Sequence, residues 1–516
     1  MDGHRKVNPW IVAIAVMFAT FMEVLDTTVV NVSLPHIAGN LSATIDESTW
    51  VLTSYLVANA IILPLTGWLA SYFGRKRLLM ASVTGFTLSS LLCGLAPNLP
   101  LLVMFRLMQG ATGGCMQPLS QAVLLEAFPP HERGKAMGFW GLGIVVAPIL
   151  GPVLGGWLTD SYSWRWVFYI NLPVGIASLV MTKLYVFDPP YLKRETTRID
   201  YWGIALLVLW VGTLQLVLDL GQSHDWFSSP LIIALVVLSG GGLVAFLARE
   251  WLISEPVIDL RVFKIRTYAT GVFLMTTLGF VLYGSLVLLP IMLQTLLGYP
   301  SLQAGIAMAP RGLGSLIGMP TVGLLVGRMD ARQLVAAGLV TGAGTLLWLG
   351  QLNLGAGYWD IFWPQFIQGL ALSLIFVPLT TISMDAIPRE RMGNATSLFS
   401  LMRNLGGSIG IAVTGTMLAR KQQVYISTMG SHVDAYSARA QQTLEQLRQG
   451  FLAAGSDPAT AAQRAYAAMF GIVQRQAAML SFVDLFRLLG VMFLLLLPLI
   501  LLMKRPRAAA PPAAAH

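Results

Sequence analysis

Charged residues are scarce in this sequence, and their scarcity excludes most classes of protein. Only 11% of the 516 residues are Asp, Glu, Lys or Arg, whereas 55% are hydrophobic. An ordinary soluble domain carries about 25% charged residues. The composition therefore predicts a polytopic membrane protein and excludes an ordinary soluble enzyme.

Several chemical signatures are also absent. The two cysteines, Cys93 and Cys115, lie in apolar runs without metal-binding spacing, and we interpret them as buried thiols. No His-Glu-x-x-His pattern or glycine-rich phosphate loop occurs, so neither metal catalysis nor ATP hydrolysis is indicated. The first apolar run carries acids and lacks a cleavage site, which argues against a signal peptide. The formal charge of +9 comes from short dispersed clusters, not from a nucleic-acid-binding patch.

Apolar runs of about 20 residues recur along the chain, each long enough to cross a hydrocarbon core of about 30 Å. We predict an all-α fold of fourteen transmembrane helices. The spans lie near residues 10–35, 50–70, 78–96, 100–125, 136–157, 166–187, 200–220, 229–248, 269–297, 302–327, 333–353, 361–386, 394–418 and 478–503.

Basic residues occupy alternate loops and both termini, whereas the intervening short loops hold almost only Arg165. Because cytoplasmic loops are enriched in Lys and Arg, we expect the basic side and both termini to be cytoplasmic. The clusters are Arg5-Lys6, Arg75-Lys76-Arg77, Arg133/Lys135, Lys193-Arg194/Arg198, Arg249 to Arg266, Arg328/Arg332, Arg389/Arg391 and Lys504-Arg505/Arg507.

The two halves of the chain repeat one another. Gln109-Gly110 superimposes on Gln368-Gly369, and in a slightly different register Gly67 superimposes on Gly323. Repeats of this kind build two bundles around a midplane site in secondary transporters. We predict an N-terminal six-helix bundle over 1–199, an inserted transmembrane hairpin over 200–248 and a C-terminal six-helix bundle over 249–516. The last includes an extracytoplasmic loop at 420–476.

Two acids in the first span are the leading functional candidates. A carboxylate near the middle of a membrane helix costs about 3 kcal/mol or more, so Asp26 is expected to face protein or water. Glu23 lies one turn earlier on the same face, and the pair is suited to binding and releasing protons. Arg106, in the fourth span, is the expected coupling partner of these acids; snorkelling to the membrane surface is the alternative.

Several motifs carry a family resemblance. The stretch Gly67–Arg77 resembles the loop 2–3 signature of the major facilitator superfamily, and Arg106–Gly110 and Pro148–Gly156 resemble its fourth- and fifth-helix motifs. With Asp26, Trp164–Pro173 and Arg403–Gly410, the chain is similar to the fourteen-helix drug:proton antiporters, closest to the EmrB type. The resemblance implies the major facilitator fold.

The resemblance implies roles for the residues of the helix-five motif and of the loop 2–3 motif. The antiporter motif of helix five is associated with exchange and is expected to form the seam on which the bundles pivot; its residues are Pro148, Gly151, Pro152, Gly155 and Gly156. Ser71 stands where an acid is usual, so Glu126 and Asp385 are expected to close the gate instead. Their expected partners are Arg75, Arg77, Arg328 or Arg332. Gly67 and Gly74 belong to the same loop motif as the first two arginines. The alternative is that Glu126 and Asp385 are solvated charges at helix ends.

A cavity for drug-sized amphiphiles needs apolar walls and a few polar anchors. The polar candidates are Gln109, Tyr283, Gln294, Gln365 and Gln368. Within the loop 420–476, the spacing of Leu444, Leu447 and Phe451 predicts one helix with an apolar stripe. Asp457-Pro458 supplies the N-cap and first-turn proline of a second helix. This loop is either a hairpin packing on the outer rim or a docking surface for an external partner.

The resemblance implies efflux of hydrophobic compounds across the bacterial inner membrane, driven by a proton gradient without a cofactor. Export of one endogenous lipid or metabolite is the alternative, and a non-transporting receptor or scaffold is a remote one. The expected partners are hydrophobic small molecules and membrane lipid, with no nucleic acid. An EmrA-like periplasmic adaptor and an outer-membrane channel would contact the loop 420–476.

Overall fold

The computed structural model describes residues 8–188, 200–253, 256–433 and 437–503. The basic clusters at 5–6, 193–198 and 504–507, and with them both termini, lie outside the described residues. The helices are α1 Pro9–Asn40, α2 Ile45–Ser48, α3 Trp50–Phe73, α4 Arg75–Leu95, α5 Leu99–Gly113, α6 Met116–Ala127, α7 Arg133–Ser161, α8 Trp166–Tyr169, α9 Asn171–Tyr185, α10 Tyr201–Leu220, α11 Pro230–Leu252, α12 Arg266–Thr295, α13 Ser301–Leu325, α14 Ala331–Leu349, α15 Tyr358–Asp385, α16 Met392–Gly430, α17 Ala438–Ala453 and α18 Pro458–Leu495.

Each predicted span coincides with helix, and the all-α prediction is confirmed. Among the described residues, ten helical segments are both long and apolar enough to cross a membrane. The fourth span is broken: α5 ends at Gly113 and α6 begins at Met116. A Cβ on Gly114 would lie 2.7 Å from the carbonyl oxygen of Asn59, so the glycine permits the broken helix to lie directly on α3.

The helices form two bundles with a hairpin beside them. Helices α1 to α9 form the N-terminal bundle, and α12 to α16 with α18 form the C-terminal bundle. The hairpin of α10 and α11 packs against α3 of one bundle and α16 of the other. The repeat is visible in the packing, because a Cβ on Gly110 would strike the carbonyl oxygen of Tyr55, and one on Gly369 would strike that of Arg311.

The closest described approaches between the bundles lie at one end, where Arg75, Arg133, Arg332 and Arg391 are found; we call it the basic end. A Cβ on Gly138 of α7 would lie 2.5 Å from the carbonyl oxygen of Met319 on α13. A Cβ on Gly67 of α3 would lie 2.7 Å from the Cα atom of Asn394 on α16. Glycines therefore let the two backbones touch and close this end.

Two helices extend well beyond a membrane at the opposite end. At ~1.5 Å per residue, the 39 residues of α16 span about 58 Å, whereas the hydrocarbon core is only about 30 Å thick. The predicted cap is confirmed, since the Asp457 side chain accepts hydrogen bonds from Ala459 and Thr460 at 3.1 Å and starts α18. The end of α16, all of α17 and the start of α18 form what we call the helical extension, residues 420–433 and 437–476.

Candidate functional site

Asp26 lies at the middle of α1 inside a closed polar network. Asp26 is 1% exposed, and its Oδ2 atom is 2.5 Å from a guanidinium nitrogen of Arg106. Gln109 and Asn171 each donate an amide hydrogen bond to Oδ1, at 3.0 and 2.7 Å. All three partners belong to the N-terminal bundle, so this carboxylate is paired and hydrogen-bonded within one bundle.

Aromatic rings and backbone hold Arg106 in place. Its guanidinium carbon lies 4.3 Å from the ring centre of Tyr55 and 5.7 Å from that of Phe168. Its Nε atom donates to the carbonyl oxygen of Val51 at 3.0 Å. Arg106 is fully buried, so it does not snorkel to the surface as the alternative interpretation required.

Glu23 binds a different set of residues. Asn59 of α3 donates to Glu23 Oε1 at 3.0 Å, while the second carboxylate oxygen is buried without a hydrogen-bond partner in the described residues. Gln117 of α6 interacts with the same carboxylate. Gln117 in turn accepts a hydrogen bond from Arg403 of α16, which also interacts electrostatically with Glu23. The chain from Glu23 through Gln117 to Arg403 therefore crosses from one bundle to the other.

The antiporter motif packs against α1 next to these acids. A Cβ on Gly151 would meet Thr28, and one on Gly155 would lie 2.6 Å from the carbonyl oxygen of Val29. Gly156 is less confined, with Val32 at 3.9 Å. Pro148 and Pro152 lie inside α7. In this conformation the motif thus packs within the N-terminal bundle. The expectation that it forms the seam between bundles is wrong here, because the earlier glycines of α7 make that contact.

The two expected gate acids, Glu126 and Asp385, lie at the basic end, but only Glu126 has one of its expected partners. Arg75 pairs with Glu126, but both belong to the N-terminal bundle. Asp385 pairs at 2.7 Å with Arg133 of α7. That pair joins the two bundles.

The other gate candidates do not take the expected partners. Arg77 and Arg328 are exposed, and Arg332 pairs with its neighbour Asp330 at 3.3 Å. The expected pairing of Asp385 with Arg328 or Arg332 is therefore wrong, because Asp385 pairs with Arg133 at the start of α7. Gly74 has a φ of +86° at the turn between α3 and α4, a conformation that favours glycine.

The five substrate candidates do not come together. Gln109 holds Asp26, which leaves it unsuited to lining a substrate cavity. Gln365 donates to Gln368 at 3.2 Å, and Gln368 lines a small cavity inside the C-terminal bundle. Tyr283 is half-buried against Gly407, and Gln294 is exposed one residue before α12 ends. A cavity shared by all five is therefore not formed in this conformation.

Several residues of the site had weak or no sequence signals. Asn171 lies in the quoted stretch Trp164–Pro173, but its partner could not be inferred from position. Asn59 and Gln117 are ordinary amides in apolar helices. Arg311, a charge within a predicted span, was overlooked although intramembrane charge is itself a signal. In the part of the chain that the structure describes, no cluster of His, Cys, Asp and Glu suited to a metal ion occurs.

Comparison with known proteins supports the motifs. The Major Facilitator Superfamily model matches residues 16–411. The chain is 40% identical over 449 residues to the multidrug export protein EmrB of Escherichia coli strain K12, covering 87% of each chain. It is 38% identical over 504 residues to the fatty acid resistance protein FarB of Neisseria gonorrhoeae, covering 96% of each. Among solved structures, the human organic anion transporter MFSD10 aligns with a TM-score of 0.62 at 13% identity, covering 96% of this chain and 99% of that one.

Proposed function

This chain belongs to the major facilitator superfamily, and on that basis we propose that it exports hydrophobic and amphiphilic drugs in exchange for protons. It is a multi-pass membrane transporter and not an enzyme. The observation that carries the proposal is the buried link from Glu23 through Gln117 to Arg403, which connects an ionisable group to the contact between the bundles. The relatives with multidrug export names support the drug-like substrate class.

The membrane is the bacterial inner membrane, with the basic end and both termini in the cytoplasm. The support is the positive-inside pattern of Arg75, Arg133 and the other basic loops. In this orientation the structure is closed towards the cytoplasm, because the backbones of α7 and α13 touch at Gly138 and Met319. The conformation is then closed to the cytoplasm, as release of substrate and uptake of a proton on the outer side require.

Protonation of Glu23 is the step that releases the bundles from one another. The proton binds Oε2, the oxygen that has no described partner. Neutral Glu23 no longer attracts the guanidinium of Arg403, which weakens the link through Gln117 and favours rearrangement of the bundles. Release of the proton to the cytoplasm restores the attraction. The proton gradient drives this cycle without a cofactor.

Asp26 has a separate role in this scheme. It is bound to Arg106 and fixes the position of α1, so that Glu23 meets Gln117 in the correct geometry. The antiporter glycines, by packing on Thr28 and Val29, hold the same stretch of α1 against α7.

An adaptor and an outer-membrane channel extend the export path beyond the membrane. The helical extension supplies the docking surface. It exposes Tyr466 and Phe470, which are 64% and 54% exposed and lie one turn apart on α18. An adaptor that presents an apolar helix would cover this pair.

A second candidate function is export of fatty acids or related carboxylate amphiphiles. The similarity to FarB over 96% of both chains favours it. The transport cycle would be the same, and only the substrate would differ. A receptor or scaffold that does not transport has no observation in its favour and predicts that Glu23 and Asp26 are dispensable.

Transport in proteoliposomes with an imposed pH gradient tests the function. A fluorescent hydrophobic cation and dodecanoate would serve as the two substrate probes. Wild-type protein is expected to accumulate at least one probe only when the gradient is present. Movement that ignores the gradient would exclude proton coupling, and failure to move either probe would exclude both substrate classes.

A further inference from the structure

Arg311 is a buried cation that the proposed transport cycle does not use. It lies near the middle of α13 and is 5% exposed. Among the described residues, its side chain has no hydrogen-bond or ion-pair partner. A buried charge without compensation is costly, so a charge of this kind in a folded protein normally has an anionic partner.

Arg311 faces a cavity whose polar groups are donors. The cavity has room for about one water molecule and is lined otherwise by apolar side chains of α12, α15 and α18. Gln368 is the other polar lining residue. Since its Oε1 atom accepts from Gln365 at 3.2 Å, its amide nitrogen remains to donate into the cavity. A guanidinium and an amide nitrogen in an apolar pocket are suited to an anion and not to a cation.

The internal repeat shows what is missing there. The alignment that places Gly67 on Gly323 also places Tyr55 on Arg311. Tyr55 and Arg311 each have a glycine packed against their carbonyl oxygen. Arg311 therefore lies at the layer where the N-terminal bundle holds Asp26 with Arg106. Helix α12, the counterpart of α1, contains no acidic residue between Arg266 and Thr295. The C-terminal bundle thus has the cation and the amide at this layer, but its helix α12 supplies no carboxylate to pair with them.

We propose that Arg311 and Gln368 bind a small monovalent anion, which takes the place that Asp26 occupies in the N-terminal bundle. The size of the cavity fits a free chloride ion. The carboxylate end of an amphiphile has the same charge and donor requirements and is the other source of such a group. The site goes beyond proton-driven export, because it binds at equilibrium and needs no gradient.

Thermal unfolding of the full-length protein in nanodiscs of zwitterionic lipid tests the site. Chloride would be titrated against gluconate at constant ionic strength and pH. The unfolding temperature of the wild type is expected to rise saturably with chloride, because a ligand that binds only the folded state stabilises it. Arg311→Met and Gln368→Leu are expected to abolish the rise. Gln294→Leu, which alters an exposed glutamine outside the cavity, is the matched control and should keep it.

Separate arms identify the source of the anion. In chloride-free buffer, dodecanoate, dodecanol and dodecyl phosphate would be compared. Stabilisation by dodecanoate but not dodecanol, lost in the Arg311 and Gln368 variants, would assign the site to a carboxylate amphiphile. A response to chloride alone would assign it to the free ion.

Three results would overturn the proposal. They are no saturable response of the wild type to chloride or dodecanoate, an equal response in Arg311→Met, and a response to dodecyl phosphate alone. If Arg311→Met does not fold, Arg311→Lys decides in its place. Lysine keeps the charge but loses the planar donors, so the midpoint of the response is expected to move to higher concentration. An unchanged midpoint in both Arg311→Lys and Gln368→Leu would also reject the site.

Discussion

Glu23 and Asp26 lie one helical turn apart on α1, yet they share no hydrogen-bond partner among the described residues. Asp26 is bound by Arg106, Gln109 and Asn171 of its own bundle. Glu23 interacts with Gln117, which accepts a hydrogen bond from the other bundle. Neutralising Glu23 therefore alters the contact between the bundles, whereas neutralising Asp26 breaks an ion pair inside one of them. The two acids are expected to give different phenotypes.

Glu23→Gln is expected to uncouple transport from the proton gradient. Glutamine preserves the size of the side chain and can still accept from Asn59, but it binds no proton. Accumulation driven by the gradient should fall to the level of protein-free liposomes, while substrate binding persists. Uptake in proteoliposomes and substrate binding in detergent would be measured on the same preparation.

Glu250→Gln is the matched control for that experiment. Glu250 is also buried in a membrane helix, but it lies on the hairpin, where it accepts a hydrogen bond from the backbone of Ile258. Its variant should retain gradient-driven accumulation. Full coupling in Glu23→Gln would exclude Glu23 as the proton carrier.

Asp26→Asn is expected to destabilise the protein. It leaves Arg106 buried without its counter-ion, and breaking a buried pair from one side costs about 3–5 kcal/mol. Replacing both partners, as Asp26→Asn with Arg106→Gln, should recover part of the loss because no unpaired charge remains. Unfolding of the single and double variants in detergent would measure this. A single variant as stable as the wild type would show that the pair does not hold α1.

The Arg133–Asp385 pair is expected to bias the protein towards the conformation closed at the basic end. The pair joins the bundles at 2.7 Å, but the side chain of Asp385 is 38% exposed, so we expect a contribution of about 1 kcal/mol. Asp385→Asn should increase the population open at the basic end about fivefold. Distances between spin labels at Lys135 and Arg328 would report that population.

Asp484→Asn tests whether the effect is specific. Asp484 pairs with Lys421 at 2.6 Å on the helical extension, at the opposite end of the molecule. Its loss should leave the label distances unchanged.

Exchanging the charges of the first pair, as Arg133→Asp with Asp385→Arg, should restore the closed population. If the exchange does not restore the closed population, the ion pair itself does not hold the basic end closed.

The docking surface on the helical extension predicts a selective loss of partner binding. Tyr466→Ser with Phe470→Ser should weaken capture of an EmrA-like adaptor by purified exporter about tenfold or more, as expected for the loss of aromatic anchors. Tyr162→Ser is the control, because Tyr162 is an aromatic at the same end of the molecule with 63% exposure but outside the extension. Equal capture by both variants would reject docking at this surface.

The helices were predictable because their signals are local. Apolar runs, the cap at Asp457 and the cost of an acid at Asp26 can each be inferred from a few neighbouring residues. The full length of α16 and α18 was not predictable, since polar helices beyond the membrane carry no hydropathy signal. In this extension α18 packs against both α16 and α17, and such tertiary contacts cannot be inferred from local sequence.

The partners within the site were less predictable. Glu23 and Asp26 were expected to act side by side, but a broken helix four places Arg106 and Gln109 beside one acid and Gln117 beside the other. That division depends on where Gly114 meets α3, which is a tertiary contact. The gate partner Arg133 was missed for the same reason. Position along the helix indicates the end at which a charge lies, but not the bundle that it faces.

Close contact of glycine backbones at the basic end leads to the sharpest prediction. Gly138→Ala places a Cβ atom 2.5 Å from the carbonyl oxygen of Met319, and neither backbone can yield without separating α7 from α13. The variant is expected to fold, because the clash disappears when the basic end opens. It should remain open at that end, so the label distance between Lys135 and Arg328 lengthens and gradient-driven export falls at least tenfold.

Two glycine variants separate this effect from damage to the fold. Gly344→Ala adds the same methyl to a helical glycine with no atom within 4 Å, and should match the wild type or be slightly more stable. Gly151→Ala places its methyl against Thr28 inside one bundle, so it should lower the unfolding temperature without opening the basic end. If Gly138→Ala instead lowers the unfolding temperature and leaves the label distance unchanged, the contact at Met319 serves stability. Alternating access would then not depend on separation of α7 from α13.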